Sequence, residues 1–309
     1  MRDTFVKTMM EIAKDNEDMY LITGDLGFGV LKPYWEAFPE RFINAGIAEQ
    51  AMTGIAAGLA LEGKIVTTYS IGNFPTLRCL EQIRNDCAYH EVNVKIVCIG
   101  GGFVYGALGM SHHATEDIAI MRSLPDVVVL TPGDLMEAKA ATRAMYEYHG
   151  TCYLRLGRGG ERQIHDKELT DFKIGKAIKI KDGEKIAILS AGGILDEAAD
   201  SVEKLREMGI NAAQYSFPTV KPIDTDTIQS IAKEFELIVT VEEHNIVGGF
   251  GSAVAEVISE LDEKRGKLVR IGIPDVYSSI VGDQKYLREV YGVSSDKIVE
   301  RILKEVSRN

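Results

Sequence analysis

Apolar residues along this chain fall into short β-branched runs separated by stretches of helical periodicity, the pattern of a parallel sheet covered on both faces. The runs Met19–Thr23, Ile65–Tyr69, Val94–Ile99, Val127–Leu130 and Cys152–Leu156 predict buried strands. The clearest helix between them follows Thr131-Pro132-Gly133-Asp134, where the Asp134 side chain can cap free amides of a helix running to about Tyr148. After Arg158-Gly159-Gly160 the chain turns polar and charged, which predicts a linker over 166–185 with at most an edge strand around Ile174 to Ile180. The strand signature then returns at Ile186–Ser190, Ala212–Tyr215, Leu237–Val241 and Val269–Ile273. Helices are predicted near Leu195–Met208, Thr225–Lys233 and Gly251–Leu261, with a last one starting near Ser295, whose hydroxyl is a natural N-cap. The expected fold is α/β with two doubly wound domains, residues 1–165 and a smaller 186–309.

A length of 309 residues agrees with two domains of ordinary size. The formal charge of -11 comes without a basic run, which argues against nucleic-acid or anionic-membrane partners. Cys79, Cys87, Cys98 and Cys152 form no CxxC and no Cys/His cluster, so reduced thiols and a cytoplasmic location are expected. The first residues enter a charged amphipathic pattern, and no apolar run is long enough to span a bilayer, so neither secretion nor membrane insertion is expected.

Gly46-Ile47-Ala48-Glu49-Gln50-Ala51-Met52 opens a small-residue helix predicted to run to about Glu62. Met52, Ile55, Ala56 and Leu59 would face the core, while Glu49, Thr53, Ala57 and Ala60 line a face slight enough for another backbone to approach. A helix start favours an acid through its dipole alone, so chemistry at Glu49 depends on context. The glycine-rich passage Gly100 to Gly109 is too irregular for a dinucleotide fingerprint, and it leads to His112 and His113. Arg155 and Arg158 end a strand, where an open α/β sheet places ligands and guanidinium groups can grip phosphate in a planar, bidentate way.

Gly24-Asp25-Leu26, Arg41 to Gln50, Gly109-Met110-Ser111-His112-His113, Arg122-Ser123-Leu124-Pro125 and Thr131 to Asp134 occur in an order that resembles the C-terminal section of transketolase. The resemblance covers essentially the whole chain. It extends to 1-deoxyxylulose-5-phosphate synthase and to decarboxylating components of 2-oxo acid dehydrogenases. It implies a thiamine-diphosphate pyrimidine-binding domain followed by a transketolase C-terminal domain, in a transferase of carbohydrate metabolism. By this resemblance Glu49 hydrogen-bonds a ring nitrogen of the aminopyrimidine and favours its imino tautomer, which requires a carboxyl that shares or donates a proton. Phe74, ahead of Tyr69, would supply the aromatic wall, with Asp25 also at the cofactor. His112 would contact the ketose and exchange protons with its hydroxyls, with His113 beside it. Arg158 would bind substrate phosphate, ahead of Arg155, Arg78 and Arg122.

One departure concerns the substrate. Transketolases usually carry Asp-Gly-Pro-Thr-His where this chain has Leu108-Gly109-Met110-Ser111-His112. The aspartate recognises a hydroxyl next to the reacting carbonyl, and a leucine cannot accept that hydrogen bond, which points to a deoxy, branched or otherwise specialised ketose. A Gly-Asp-Gly motif with a downstream Asn, which would hold Mg2+ and the diphosphate, is missing. The expectation is therefore a split enzyme, with no metal ligands on this chain. A diphosphate-binding subunit would supply them, two copies of each forming a heterotetramer that transfers a two-carbon ketol unit from a sugar or sugar phosphate to an aldose. The alternatives are a decarboxylating or 1-deoxyxylulose-5-phosphate-synthase-like subunit, and a catalytically silent partner module. The segment Glu242-Glu243-His244-Asn245 to Gly251 is read as a helix start without chemistry.

Overall fold

Two open sheets carry the chain in a computed structural model that describes residues 1–262 and 265–307. In chain order the strands are β1 (Met19–Thr23), β2 (Phe42–Asn44), β3 (Ile65–Ile71), β4 (Val94–Ile99), β5 (Val128–Leu130), β6 (Cys152–Leu156), β7 (Ile178–Lys181), β8 (Ile186–Ala191), β9 (Ala213–Ser216), β10 (Thr219–Lys221), β11 (Leu237–Asn245) and β12 (Lys267–Ile273). The first sheet has the order β10-β5-β6-β4-β3-β1-β2 and the second β12-β11-β8-β9-β7. Within the first, β1 to β6 pair in parallel, so their carboxyl ends share one edge.

The strands expected from apolar runs are present, and two short ones join them. β2 adds an outer strand beside β1, while β10 leaves the second domain and pairs antiparallel with β5, Thr219 opposite Leu130. The first sheet is thus completed by residues from the far side of the predicted linker. That linker itself contributes β7, which pairs antiparallel with β9 at the edge of the second sheet.

Local signals explain the helices. Asp134 caps Leu135–Glu147 by accepting from the Glu137 amide at 2.9 Å, as its position predicts. Ser294, one residue before the expected cap, accepts from the Lys297 amide to start Ser295–Val306, because Ser295 is already inside the helix and its own amide goes to Glu197. The helix Glu49–Leu61 packs on β3 and buries Glu49, Met52, Thr53, Ala56, Ala57 and Ala60. Ile55, expected in the core, is 41% exposed, because the buried face is made by Met52 with the small residues Thr53, Ala56, Ala57 and Ala60. Cys79, Cys87, Cys98 and Cys152 are free and buried. Among the described residues no helix is long and apolar enough to cross a membrane.

Candidate active site

The loops leaving β1, β2, β3, β4 and β6 all rise from the carboxyl edge of the first sheet, where an open α/β sheet presents its ligand-binding residues. After β2, the chain turns through Gly46 (φ 71°) and enters the helix that begins at Glu49. Asn44 knits this turn to the one after β1: its Oδ1 accepts from the Asp25 and Gly46 amides at 3.0 Å each, and its Nδ2 donates to Asp25 Oδ1 at 3.0 Å. Asp25 is exposed, with φ 56°, and Gly24 lies against the Glu49 side chain; a Cβ there would be 3.5 Å from Glu49 Cγ.

Glu49 is only 3% exposed, yet its carboxylate faces Arg78 across 2.7 Å. From that pair a continuous series of contacts crosses the edge of the sheet. The Arg78 guanidinium stands 4.8 Å over the Phe74 ring, and Phe74 meets the His112 ring edge-on at 5.2 Å. His112 is 6.4 Å from the Tyr105 ring, and the exposed Arg158 guanidinium lies 5.4 Å over the same ring. Glu49, Phe74, Arg78, His112 and Arg158, which come from four separate loops, are thus brought together, with Tyr105 as the joining ring. Nothing local in the sequence singles out Tyr105, Asn44 or Asn73; their roles come from tertiary placement.

The remaining predicted residues sit differently. Tyr69 is 2% exposed and its ring stacks on Phe5 at 6.4 Å, inside the core beneath the N-terminal helix. Arg155, which the sequence suggested for phosphate, is buried: Nε reaches Asp117 at 2.7 Å, and Nη2 donates to the carbonyls of Ala114 at 2.8 Å and Glu243 at 3.1 Å. Burial alone would raise the Asp117 carboxyl, but the Arg155 guanidinium, together with His244 and the Tyr153 hydroxyl, holds it below its ordinary value. Arg122 pairs with Glu256 on the second domain. Leu108 is exposed, as is Met110.

His113 is buried with Nε2 donating to the Gly106 carbonyl at 3.1 Å, which leaves Nδ1 an acceptor without a partner among the described residues. Asn73 donates to the His113 carbonyl at 2.7 Å, and its buried Oδ1 is also unpaired among them. Both residues line a cavity of about 510 Å³ between the domains, with Met110, Glu116 and Tyr277 on its other sides. Burial raises the Glu116 carboxyl above its ordinary value.

The expected cofactor ring needs a buried carboxyl oxygen and an aromatic face. Among the described residues Glu49 Oε1 receives no hydrogen bond, Arg78 being held by Oε2, and Phe74 stands one residue away through Arg78. The residues present therefore fit the pyrimidine half of such a group. Among the described residues no group of three or more His, Cys, Asp or Glu could hold a metal ion.

Comparison with known proteins matches both domains of the chain. Residues 1–162 match the transketolase pyrimidine-binding domain and residues 175–298 the transketolase C-terminal domain. A putative transketolase C-terminal section from Methanocaldococcus jannaschii is 41% identical over 310 residues, with 100% of this chain and 96% of that protein covered. One of the subunits of an apulose-4-phosphate transketolase, from Phocaeicola vulgatus, is 35% identical, with 99% of this chain and 97% of that protein covered. A solved split gene transketolase, described as an inactive beta4 tetramer, superposes with a TM-score of 0.86 at 34% identity, over 98% of this chain and 96% of that one. With both domains matched in order and at nearly full length, the chain belongs to the transketolase family.

Proposed function

We propose that this chain is the pyrimidine-side subunit of a split, thiamine-diphosphate-dependent transketolase of the cytoplasm. It moves a two-carbon ketol unit from a ketose or ketose phosphate to an aldose acceptor. The observation that carries this reading is the unbroken series of contacts from Glu49 through Arg78, Phe74, His112 and Tyr105 to Arg158. When bound, thiamine diphosphate supplies the carbon nucleophile that takes up the ketol unit. Glu49 offers Oε1 to the pyrimidine nitrogen, and Phe74 offers a ring face beside it, with Asp25 on the neighbouring turn. His112, its Nδ1 hydrogen-bonded to Ser111 Oγ at 3.0 Å, exchanges protons with sugar hydroxyls, with His113 next to it in the chain. Arg158 binds a substrate phosphate from the exposed rim.

A separately encoded chain would bring Mg2+ and bind the diphosphate, two copies of each forming the active tetramer. Two features support this partner. The solved relative is described as a split gene transketolase whose beta4 tetramer is inactive. The helix that carries Glu49 turns apolar side chains outward, Ile55 at 41% and Leu61 at 61% exposure, with Ile47 just before it at 80%. Leu108, together with the apulose-4-phosphate named for one relative, supports a specialised donor sugar.

Reconstitution tests this reading. The chain is mixed with a diphosphate-binding partner carrying Gly-Asp-Gly, thiamine diphosphate and Mg2+, and a ketose phosphate is offered with an aldose. Mass spectrometry should show the acceptor longer by two carbons. Release of carbon dioxide would instead assign a decarboxylating reaction, and no cofactor binding by the pair would assign a silent module.

A further inference from the structure

The segment Glu242-Glu243-His244-Asn245 ends β11 on the second domain, and its second acid reaches into the first. We propose that Glu243 is a positioning residue for the reaction: with Arg155 it fixes the loop that presents His112 and His113. This rests on the proposed function only for the role of the histidines.

Glu243 is 3% exposed, and its carboxylate is rooted in its own domain. Arg288 Nε donates to Oε2 at 2.7 Å, and Gln284 Nε2 donates to both oxygens at 3.0 and 2.9 Å. Arg288 is in turn held by Asp196 and by the Gly193 carbonyl. From this fixed base Oε1 accepts the backbone N–H of Phe103 at 2.6 Å. Gly102, the residue before it, exchanges backbone hydrogen bonds of 2.8 and 3.1 Å with Ala114, which directly follows the histidine pair. The Phe103 ring also stands edge-on to His113 at 5.2 Å. Arg155 closes the same loop from its other end, one nitrogen donating to both the Ala114 and Glu243 carbonyls.

Gly102 makes this approach possible. Its φ is 63°, and a Cβ there would lie 2.5 Å from Glu243 Oε1. Buried, fully paired carboxylates often do no more than hold a fold together. Here the first-domain partner is one amide of the histidine loop, so misplacing it would displace the histidines, and displacements of about 1 Å cost catalysis heavily.

Three variants test the proposal. Glu243→Gln keeps an oxygen for the Phe103 N–H but gives up the charge facing Arg288; Glu243→Ala removes both, and Gly102→Ala attacks the contact from the loop side. In the free chain, amide exchange over residues 102–114 should quicken by about tenfold in the two alanine variants and stay near wild type in Glu243→Gln, with β8 unaffected. In the reconstituted enzyme, kcat should fall by about tenfold or more in Glu243→Ala and be largely rescued by Glu243→Gln. KM should move less, and the double alanine variant should be no worse than either single. Unchanged loop exchange in both alanine variants, or a kcat that follows unfolding midpoint rather than the acceptor oxygen, would overturn the proposal. A wild-type pair without ketol transfer would instead fail the proposed function, leaving the exchange result to decide the clamp.

Discussion

Arg78 sets a guanidinium nitrogen 2.7 Å from the carboxylate of Glu49, with the arginine side chain 47% exposed and the glutamate 3%. The acid on which the proposed chemistry turns therefore begins ion-paired with a group that can swing outward. Arg78 also covers the Phe74 ring, so moving it uncovers both features that a pyrimidine would meet.

The pair should be energetically real. Removing Arg78 leaves a buried carboxylate without its counter-ion, whereas Glu49→Gln removes the charge itself. A double-mutant cycle of Arg78→Ala and Glu49→Gln, followed by urea unfolding, should give a coupling of about 1 kcal/mol, tempered by the exposure of Arg78. Additive effects would mean that the contact contributes nothing.

Leu108 should set the choice of donor. It is 56% exposed, so Leu108→Asp leaves packing intact while restoring an acceptor for a sugar hydroxyl. In the reconstituted enzyme, kcat/KM for a hydroxylated ketose over its deoxy analogue should rise by at least about tenfold. An unchanged ratio would remove Leu108 from substrate selection.

Glu137 should make stability depend on pH. Its Oε2 accepts the Gly133 N–H at 2.6 Å, and Oε1 lies 3.6 Å from His165 Nε2. Burial pushes this carboxyl from its ordinary 4.5 up to about 7. Between those values the folded chain holds a proton that the unfolded chain has released, so stability falls as pH rises through the window. His165 is raised despite burial, through Asp134 and Glu137, and acts in the same direction: its contribution is complete below the unfolded value of 6.5 and is lost as pH rises through its folded value. Glu137→Gln keeps an acceptor for Gly133, so its unfolding free energy should change much less between pH 5 and pH 8 than that of wild type. Parallel pH profiles would contradict this.

The sequence carried the parts of this molecule that have local causes. Buried strands such as β4 and β6 announce themselves by runs of β-branched and apolar residues, and Asp134 caps the helix its position predicts. β10 has three residues and a partner some ninety positions earlier, so no local pattern could mark it. Within the candidate site, Glu49 and His112 can be proposed from sequence because each stands in a motif that resembles the family's, and Phe74 and Arg158 only from their place along that resemblance. Tyr105 was not, since its place between His112 and Arg158 exists only after folding. Arg155 looked like Arg158 in the sequence; Asp117 draws it inward across the sheet, and strand position alone does not reveal that. Glu243 stayed hidden for the same reason, because its partner is a backbone amide 140 residues away.

The most direct test is turnover by the reconstituted enzyme carrying Glu49→Gln. Fold and subunit assembly should be retained, since the amide is nearly the shape of the acid, while ketol transfer should fall by about a hundredfold or more as the shared proton is lost. Undiminished turnover in that variant would contradict the assignment of Glu49 and with it the proposed chemistry.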